Sequence, residues 1–301
     1  MVSLIPTLNG SRGWLRIMAN PRDPGKVVLA VAPVAHHPDR LPSVCNNPRT
    51  ARDVAEETLR CAQEGAALVH LHVRDNTGSQ TGDLEVFSET IDLIRESSNI
   101  ILQGSTGGLS TLTLEERCVC LSEPRVEMAS LNMGSVNFGD SVYVNTLPDI
   151  RYWAGRMRES DTVPELEVFN PSMVETAIEL VESGELERPL RFGFALGFPS
   201  SLGADPRHIA YLAGMLPAGS IWGVVHEGME SFTLIAAALG LGADMVRVGY
   251  EDGGCYGHGR CAETNAVLVR EAVKLIRLTG REIATPDEAR AMLGIKPWTT
   301  T

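Results

Sequence analysis

Cysteine is scarce in this chain of 301 residues, and no two cysteines form a CxxC pair. The cysteines are too widely spaced for a dense disulfide framework, and this spacing predicts reduced thiols in a cytoplasmic protein. The six cysteines are Cys45, Cys61, Cys118, Cys120, Cys255 and Cys261. Long hydrophobic runs are also lacking, since no stretch approaches the ~18 apolar residues of a membrane span. These absences argue against a secreted disulfide scaffold and against a membrane-spanning protein.

Positive charge is in short supply as well. Lys and Arg total 26 against 38 Asp and Glu, which gives a formal net charge of −12 at pH 7. Such a surface repels nucleic acid and anionic membranes, so a small-molecule partner is favoured. Hydrophobic residues make up 44% and charged residues 21% of the chain. This composition is typical of a globular protein with a large core.

The first 25 residues differ from the rest of the chain. Residues 1–25 hold three Arg and one acid but lack the apolar segment of a secretory signal. We expect an N-terminal extension that lies outside the fold, and translation from Met18 is an alternative. No linker or low-complexity stretch divides residues 26–301, which predicts a single catalytic domain.

From Lys26 onward, short apolar runs alternate with amphipathic stretches. Eight runs are too brief for helices and are bounded by Gly, Pro, Asn or Asp: 26–33, 67–73, 99–104, 126–131, 165–169, 190–197, 220–225 and 244–249. One more helix pattern follows at 285–294, and the others fill the intervals between the strands: 49–64, 84–97, 113–122, 146–160, 171–183, 205–215, 230–239 and 261–279. Strands that alternate with helices indicate a parallel sheet, and eight units predict a closed (β/α)₈ TIM barrel. A doubly wound open sheet is the alternative, although no GxGxxG follows the first strand.

The stretch "LVHLHVRD" at residues 68–75 places two histidines in a run that otherwise predicts a buried strand. Side chains two apart on a strand share a face, so His70 and His72 point together into the barrel near its carboxyl end. Two neutral imidazoles that converge are typical ligands of a divalent metal such as zinc. A pair of hydrogen-bonded core histidines is the alternative.

A catalytic zinc needs a third protein ligand at the end of another strand. Candidates are His226 and Glu227 after the seventh strand, and Glu251 and Asp252 after the eighth. The loops "GSTGG" (104–108) and "SLNMGS" (130–135) add backbone N–H groups and hydroxyls to the same rim. Solvated surface charges and ordinary tight loops are the alternative interpretations.

Taken in order, the motifs "HLHVRD", "GSTGG", "LNMGSVNFGD", "PELEVFN" and "VRVGYED" resemble the β-keto acid cleavage enzyme family. The resemblance runs over about residues 26–295. It implies a zinc-containing (β/α)₈ barrel, usually a homotetramer, which exchanges acyl groups between a 3-keto acid and acetyl-CoA. The expected products are acetoacetate and a new acyl-CoA.

The resemblance also implies roles for individual residues. By motif, the metal ligands correspond to His70, His72 and Glu251. The general base corresponds to Asp252, with Arg247 as its neighbouring partner. The positions that hold or face the keto acid correspond to Ser105, Gly108, Ser130 and Glu167, and Ser105 is expected to assist catalysis.

The chain departs from the family pattern after the first strand. Where an amine-cleaving relative has a glutamate that holds an ammonium group, this chain has "VAPVAHHPDR". His36 or His37 therefore faces the substrate's tail, which suggests a neutral polar or anionic tail on the keto acid.

Two other functions fit parts of the pattern. A metal-dependent hydrolase of the amidohydrolase type also uses HxH in a barrel, but it carries further histidines on strands five and six, which this chain lacks. An inactive barrel with a metal-stabilised binding or assembly role is the other alternative. The expected serine, base and ligand positions are intact, which argues against it.

Overall fold

The computed structural model describes residues 25–75, 77–107 and 110–299. Residues 1–24 of the predicted N-terminal extension therefore lie outside the described residues, and so does Gly108. Within the described residues, no helix combines the length and the apolar character that crossing a bilayer requires.

Eight parallel strands form the barrel: β1 Lys26–Val31, β2 Leu68–His70, β3 Ile101–Ser105, β4 Met128–Asn132, β5 Val163–Val168, β6 Arg191–Leu196, β7 Ile221–His226 and β8 Met245–Val248. The paired order is β7-β6-β5-β4-β3-β2-β1-β8. β7 and β8 stand at the two ends of this order. The N–H of Asp244, just before β8, donates to the Trp222 carbonyl of β7 at 2.9 Å, so these two strands also lie side by side. The TIM barrel prediction is confirmed, and the open-sheet alternative is wrong.

Helices follow the strands around the barrel: α1 Ala51–Glu64, α2 Leu84–Arg95, α3 Leu114–Arg117, α4 Leu147–Glu159, α5 Pro171–Glu182, α6 Pro206–Met215, α7 Thr233–Gly240, α8 Asn265–Leu278 and α9 Pro286–Leu293. Threonine side chains cap several of them; Thr50, for example, accepts from the Asp53 N–H while the Asp53 carboxylate accepts from Thr50. The predicted helix at 113–122 is shorter than expected, because a 3₁₀ turn (Val119–Ser122) replaces its second half.

The apolar core forms two layers, as expected when strand side chains alternate between two faces. Val69 and Leu71 belong to the layer between the strands and the helices. Leu68 belongs to the inner layer, where it joins residues of α9 such as Leu293. The last helix thus closes the amino-terminal end of the barrel and leaves the carboxyl end for polar groups.

Three short hairpins lie in loops that follow β2, β4 and β8. In the last of them, Cys255 stands opposite Cys261 in the antiparallel register, and the two form a disulfide. The prediction of six reduced thiols is therefore wrong for this pair. The two cysteines are six residues apart and meet through the register of the hairpin, so the CxxC pattern does not reveal the pair.

Candidate active site

The barrel's carboxyl end contains a cavity of about 140 Å³. Most of the side chains expected from the sequence line it: His36, His70, His72, Ser105, Glu167, Arg247, Glu251 and Asp252. They come from β1, β2, β3, β5 and β8 or from the loops that follow them. This is the end at which TIM barrel enzymes carry their chemistry.

Two imidazoles and one carboxylate meet at one side of this cavity. The Nε2 atoms of His70 and His72 lie 3.2 Å apart. The Glu251 carboxylate lies 3.9 Å from His70 Nε2 and 3.7 Å from His72 Nε2. β2 itself ends at His70, but the Leu71 N–H donates to the Gln103 carbonyl at 2.8 Å. This extra ladder bond keeps the chain extended, so both rings reach the cavity as predicted.

A buried hydrogen-bond chain orients the ring of His70. His70 Nδ1 lies 2.8 Å from Gln103 Oε1, and Gln103 Nε2 donates to Glu165 Oε2 at 2.5 Å. All three residues are buried inside the barrel. With a proton on Nδ1, the Nε2 lone pair of His70 points toward His72 and Glu251. Metal-binding histidines are commonly held in this way.

The charge states of these groups suit a cation. Burial lowers the pKa of His70 to about 4 and holds the pKa of His72 well below its ordinary value, so both rings are neutral at pH 7. Burial alone would raise the pKa of Glu251, but the Arg247 guanidinium and the neighbouring histidines keep it well below its ordinary value. The buried Glu251 Oε2 has no hydrogen-bond partner among the described residues. Neutral nitrogens beside an unsatisfied carboxylate oxygen fit a divalent metal ion.

A tight turn after β8 brings Glu251 and Asp252 to the cavity. It begins at Gly249, where a Cβ would lie 2.1 Å from the Ala32 carbonyl oxygen, so only glycine allows this approach to the end of β1. The Glu251 N–H donates to the same carbonyl at 3.2 Å, and the Asp252 N–H donates to Gly249 at 3.0 Å.

Asp252 and Arg247 form a buried bidentate pair. Arg247 Nε donates to Asp252 Oδ2 at 2.9 Å, and Arg247 Nη2 donates to Oδ1. Burial raises the pKa of Asp252 to about 6, although the guanidinium opposes this shift. The carboxylate is therefore a stronger base than an ordinary aspartate, and it is ionised at pH 7.

The glycine loop after β3 presents the Ser105 hydroxyl to the cavity. The Gly107 N–H donates to Ser105 Oγ at 2.9 Å, and the hydroxyls of Ser105 and Ser130 lie 3.2 Å apart. Ser105 and Gly107 line the cavity, whereas Ser130 is buried behind Ser105.

Sequence reasoning missed two polar groups beside this loop. Asn132, at the end of β4, lines the cavity and donates through Nδ2 to the Tyr143 hydroxyl at 3.1 Å. Its buried Oδ1 has no hydrogen-bond partner among the described residues. Asn132 lies two residues after Ser130 on the same strand, so the alternation of side chains around Ser130 was a signal that could have identified it.

A wall of aromatic rings forms another side of the cavity, and it was not predicted. The ring of Phe138 stacks on Tyr143 and on Phe198, with centroids 5.0 and 5.3 Å apart, and Phe169 meets Phe138 edge-on at 5.6 Å. Offset and edge-to-face contacts of this kind are favourable. The rings come from three separate loops, so no local sequence pattern reports the cluster.

Two further predictions concern individual side chains. Burial raises the pKa of Glu167, on β5, to about 8, so this cavity acid is mostly protonated at pH 7. Of the two histidines after β1, His36 lines the cavity and its Nε2 lies 3.4 Å from Glu251 Oε1. Glu227, an alternative metal ligand, also lines the cavity.

The sequence and the fold were compared with known proteins. The chain is 39% identical over 251 residues to the 3-keto-5-aminohexanoate cleavage enzyme of Fusobacterium nucleatum, a match that covers 83% of this chain and 91% of the relative. It is 30% identical over 302 residues to the 3,5-dioxohexanoate:acetyl-CoA acetone transferase of Paraburkholderia graminis, with 90% and 96% covered.

Among solved structures, the binary complex of ObcA with oxaloacetate has a similar fold, with a TM-score of 0.71 at 22% identity. That similarity covers 82% of this chain and 67% of ObcA. The profile of the beta-keto acid cleavage enzyme family matches residues 26–295. The chain therefore belongs to the beta-keto acid cleavage enzyme family.

Proposed function

We propose that this enzyme cleaves a 3-keto acid with acetyl-CoA and releases acetoacetate and a new acyl-CoA. The observation that carries the proposal is that the Asp252–Arg247 pair faces the same cavity as the cluster of His70, His72 and Glu251. A base and a candidate cation site thus lie on one substrate-sized space. The names of the relatives, a keto acid cleavage enzyme and an acetyl-CoA-dependent transferase, support the reaction type.

We propose that His70, His72 and Glu251 hold a zinc ion. Two imidazoles and one carboxylate are borderline-soft ligands that suit zinc better than magnesium, and three protein ligands leave a position for substrate. When bound, the ion supplies Lewis acidity that polarises the keto group of the substrate. The unsatisfied Glu251 Oε2 supports this assignment.

The substrate carboxylate is assigned to the glycine loop. Ser105 Oγ is a hydrogen-bond donor on the cavity wall, beside Gly107. Gly108 remains a predicted contact by motif. Ser130 acts through its contact with the Ser105 hydroxyl. C2 of a 3-keto acid lies between its carboxylate and its keto group, and we assign it to the part of the cavity that Asp252 lines.

Asp252 then removes a proton from C2, and Arg247 keeps the carboxylate in position. The C2 carbanion attacks the thioester carbon of acetyl-CoA and forms a new C–C bond, which expels the CoA thiolate. The thiolate attacks the original keto carbon, and the bond between that carbon and C2 breaks. The proton on Asp252 returns to the acetoacetate carbanion, so the residue ends in its starting state.

Glu167 has a different role from Asp252 because it is mostly protonated at pH 7. A neutral carboxylic acid on the cavity wall donates a hydrogen bond to an oxygen that gains negative charge. We assign Glu167 to this role.

The size of the cavity limits what enters it. A water molecule needs about 10–15 Å³ by the same measure, so the cavity of about 140 Å³ accommodates a small keto acid but not the whole of acetyl-CoA. The thioester end of CoA enters, and its nucleotide stays outside. His36 lies at the mouth, where a neutral polar or anionic tail of the keto acid would reach it.

Two further assignments complete the proposal. We propose a cytoplasmic location, because acetyl-CoA is a co-substrate of central metabolism. The resemblance implies a homotetramer, which light scattering coupled to size-exclusion chromatography tests directly.

The reaction is tested with a panel of 3-keto acids, with and without acetyl-CoA, by measuring acetoacetate and acyl-CoA products by mass spectrometry. We expect acetoacetate and one new acyl-CoA in equal amounts, only when acetyl-CoA is present, and stoichiometric zinc by elemental analysis. Turnover without the thioester would contradict the proposal and favour a hydrolase of the amidohydrolase type.

A further inference from the structure

A third imidazole lies beside the candidate cation site. His36, in the loop after β1, places Nε2 3.4 Å from Glu251 Oε1, and its ring centroid lies 4.6 Å from that of His72. The ligand atoms of His36, His72 and Glu251 all lie within 4.8 Å of one another. The set of His70, His72 and Glu251 therefore does not account for all the nitrogen donors at this point.

The separation between His36 and Glu251 matches that between two ligands of a tetrahedral ion. Zinc bonds to nitrogen and oxygen of 2.0–2.2 Å place two ligand atoms about 3.4 Å apart at tetrahedral angles. His36 Nε2 lies 3.4 Å from the Glu251 carboxylate. The Nε2 atoms of His70 and His72 lie 3.9 and 3.7 Å from the same carboxylate. By distance to the carboxylate, His36 qualifies as a ligand at least as well as the two predicted ones.

Hydrogen bonds fix the backbone beside His36, although the side chain of His36 is 39% exposed. The Ala35 N–H donates to Asn47 Oδ1 at 2.9 Å, and the Ala35 carbonyl accepts from the buried guanidinium of Arg74. These two bonds hold the loop at the rim of the cavity. The His36 side chain lines the cavity at an exposed position.

We infer that His36 is a fourth protein ligand of the cation in the substrate-free enzyme, and that the keto acid displaces it. This inference rests on the proposed function. Four protein ligands make a closed site of the structural type, whereas three leave a position open for substrate. His36 thus holds the cation site closed until a keto acid arrives. Once displaced, the ring stays at the mouth, where it meets the tail of the substrate.

The test compares His36→Gln with His37→Gln, a matched change at the neighbouring exposed histidine. Zinc affinity is measured by competition with a chromophoric chelator. We expect His36→Gln to weaken zinc binding roughly 10- to 100-fold and His37→Gln to leave it unchanged. Equal zinc affinity in wild type and His36→Gln would overturn the inference.

A second measurement reports coordination directly. In cobalt-substituted wild type, we expect acetoacetate, itself a 3-keto acid, to change the visible absorption bands. In cobalt-substituted His36→Gln, the bands should differ from those of wild type before acetoacetate is added. Identical spectra for the two proteins without acetoacetate would refute His36 as a ligand.

The two hypotheses fail in different ways. If wild type binds neither zinc nor cobalt, the metal assignment in the proposed function fails. If wild type binds zinc and turns over keto acid, but His36→Gln matches it in affinity and spectrum, only the role of His36 fails.

Discussion

Asp252 is the residue on which the proposed proton transfer depends most directly. Its carboxylate is buried and receives two hydrogen bonds from Arg247. An asparagine at this position would keep the volume and an acceptor for the guanidinium, but it cannot accept the C2 proton. A change at Asp252 therefore tests the proposed base separately from Glu251, the proposed metal ligand.

We expect Asp252→Asn to lower kcat by about 10²- to 10⁴-fold, the usual contribution of a general base, while zinc content stays equal to that of wild type. Acetoacetate production and elemental analysis measure the two effects on the same sample. The control is Asp39→Asn, at an exposed position in the loop after β1. Loss of zinc from Asp252→Asn would mean that Asp252 is itself a ligand.

Gln103 contacts the nitrogen of His70 that faces away from the candidate cation site. It accepts a hydrogen bond from His70 Nδ1 and donates to Glu165, so it fixes which nitrogen of His70 carries the proton. Leucine at this position would fill a similar space without holding the ring. The structure therefore assigns Gln103 a positioning role.

For Gln103→Leu we predict a loss of zinc affinity of about 10- to 100-fold, the range found when such supporting groups are removed. Chelator competition gives the affinity. Gln63→Leu, the same change at an exposed position of α1, should have no effect on it. Unchanged affinity in Gln103→Leu would show that packing alone orients His70.

At the scale of elements, the barrel could be predicted because its signal is local and repeated. Each predicted strand overlaps an observed one, since short apolar runs bounded by turn residues mark every strand. The third helix ends early at Arg117. The buried side chain of Arg117 donates to the carbonyls of Thr106 and Val144, and these tertiary contacts are absent from any local pattern.

The candidate site also contains residues that local motifs predict and residues that they do not. Residues in motifs at strand ends, such as His70 and Glu251, could be predicted because the fold brings strand ends together. The stacked rings of Phe138 and Phe198 could not, because their contact joins loops after β4 and β6. The disulfide of Cys255 and Cys261 was not predicted for a related reason, since it depends on the register of a hairpin.

One side chain of α8 connects the loops that follow β1 and β8. Asn265 Oδ1 accepts from the Tyr250 N–H at 2.8 Å, and Asn265 Nδ2 donates to the Pro33 carbonyl at 3.1 Å. The first bond holds the turn with Glu251, and the second holds the loop with His36. Asn265 is completely buried.

Replacing Asn265 with alanine would leave a buried N–H and a buried carbonyl unsatisfied. We expect Asn265→Ala to cost about 1–3 kcal/mol in the free energy of unfolding and to weaken zinc binding as well. Asn99→Ala, at the opposite end of the barrel, should affect zinc binding little. Urea unfolding and chelator competition measure the two quantities, and a stability loss with unchanged zinc affinity would show that the loops are positioned independently.

At the scale of the whole molecule, the groups that stabilise the fold and the groups of the candidate active site lie in different places. Its apolar layers and last helix lie around the strands and at the amino-terminal end of the barrel, while the polar groups that line the cavity lie at the carboxyl end. Ion pairs away from the cavity can therefore be altered to examine stability alone. Glu123 offers such a site, because its side chain is 4% exposed and accepts hydrogen bonds from Arg125 and from the Ser88 hydroxyl.

The bonds from Arg125, opposed by burial, lower the pKa of Glu123 from 4.5 to about 2. Because the folded pKa lies below the unfolded one, these contacts stabilise the fold above pH 4.5 and are lost as the pH falls toward 2. We predict that Glu123→Gln lowers the free energy of unfolding by about 1–3 kcal/mol at pH 7, and that its deficit relative to wild type narrows below pH 4.5. Urea unfolding from pH 7 to 3.5 measures this, with exposed Glu89→Gln as the control. A deficit that stays constant over this range would show that the effect comes from packing and not from the charge of Glu123.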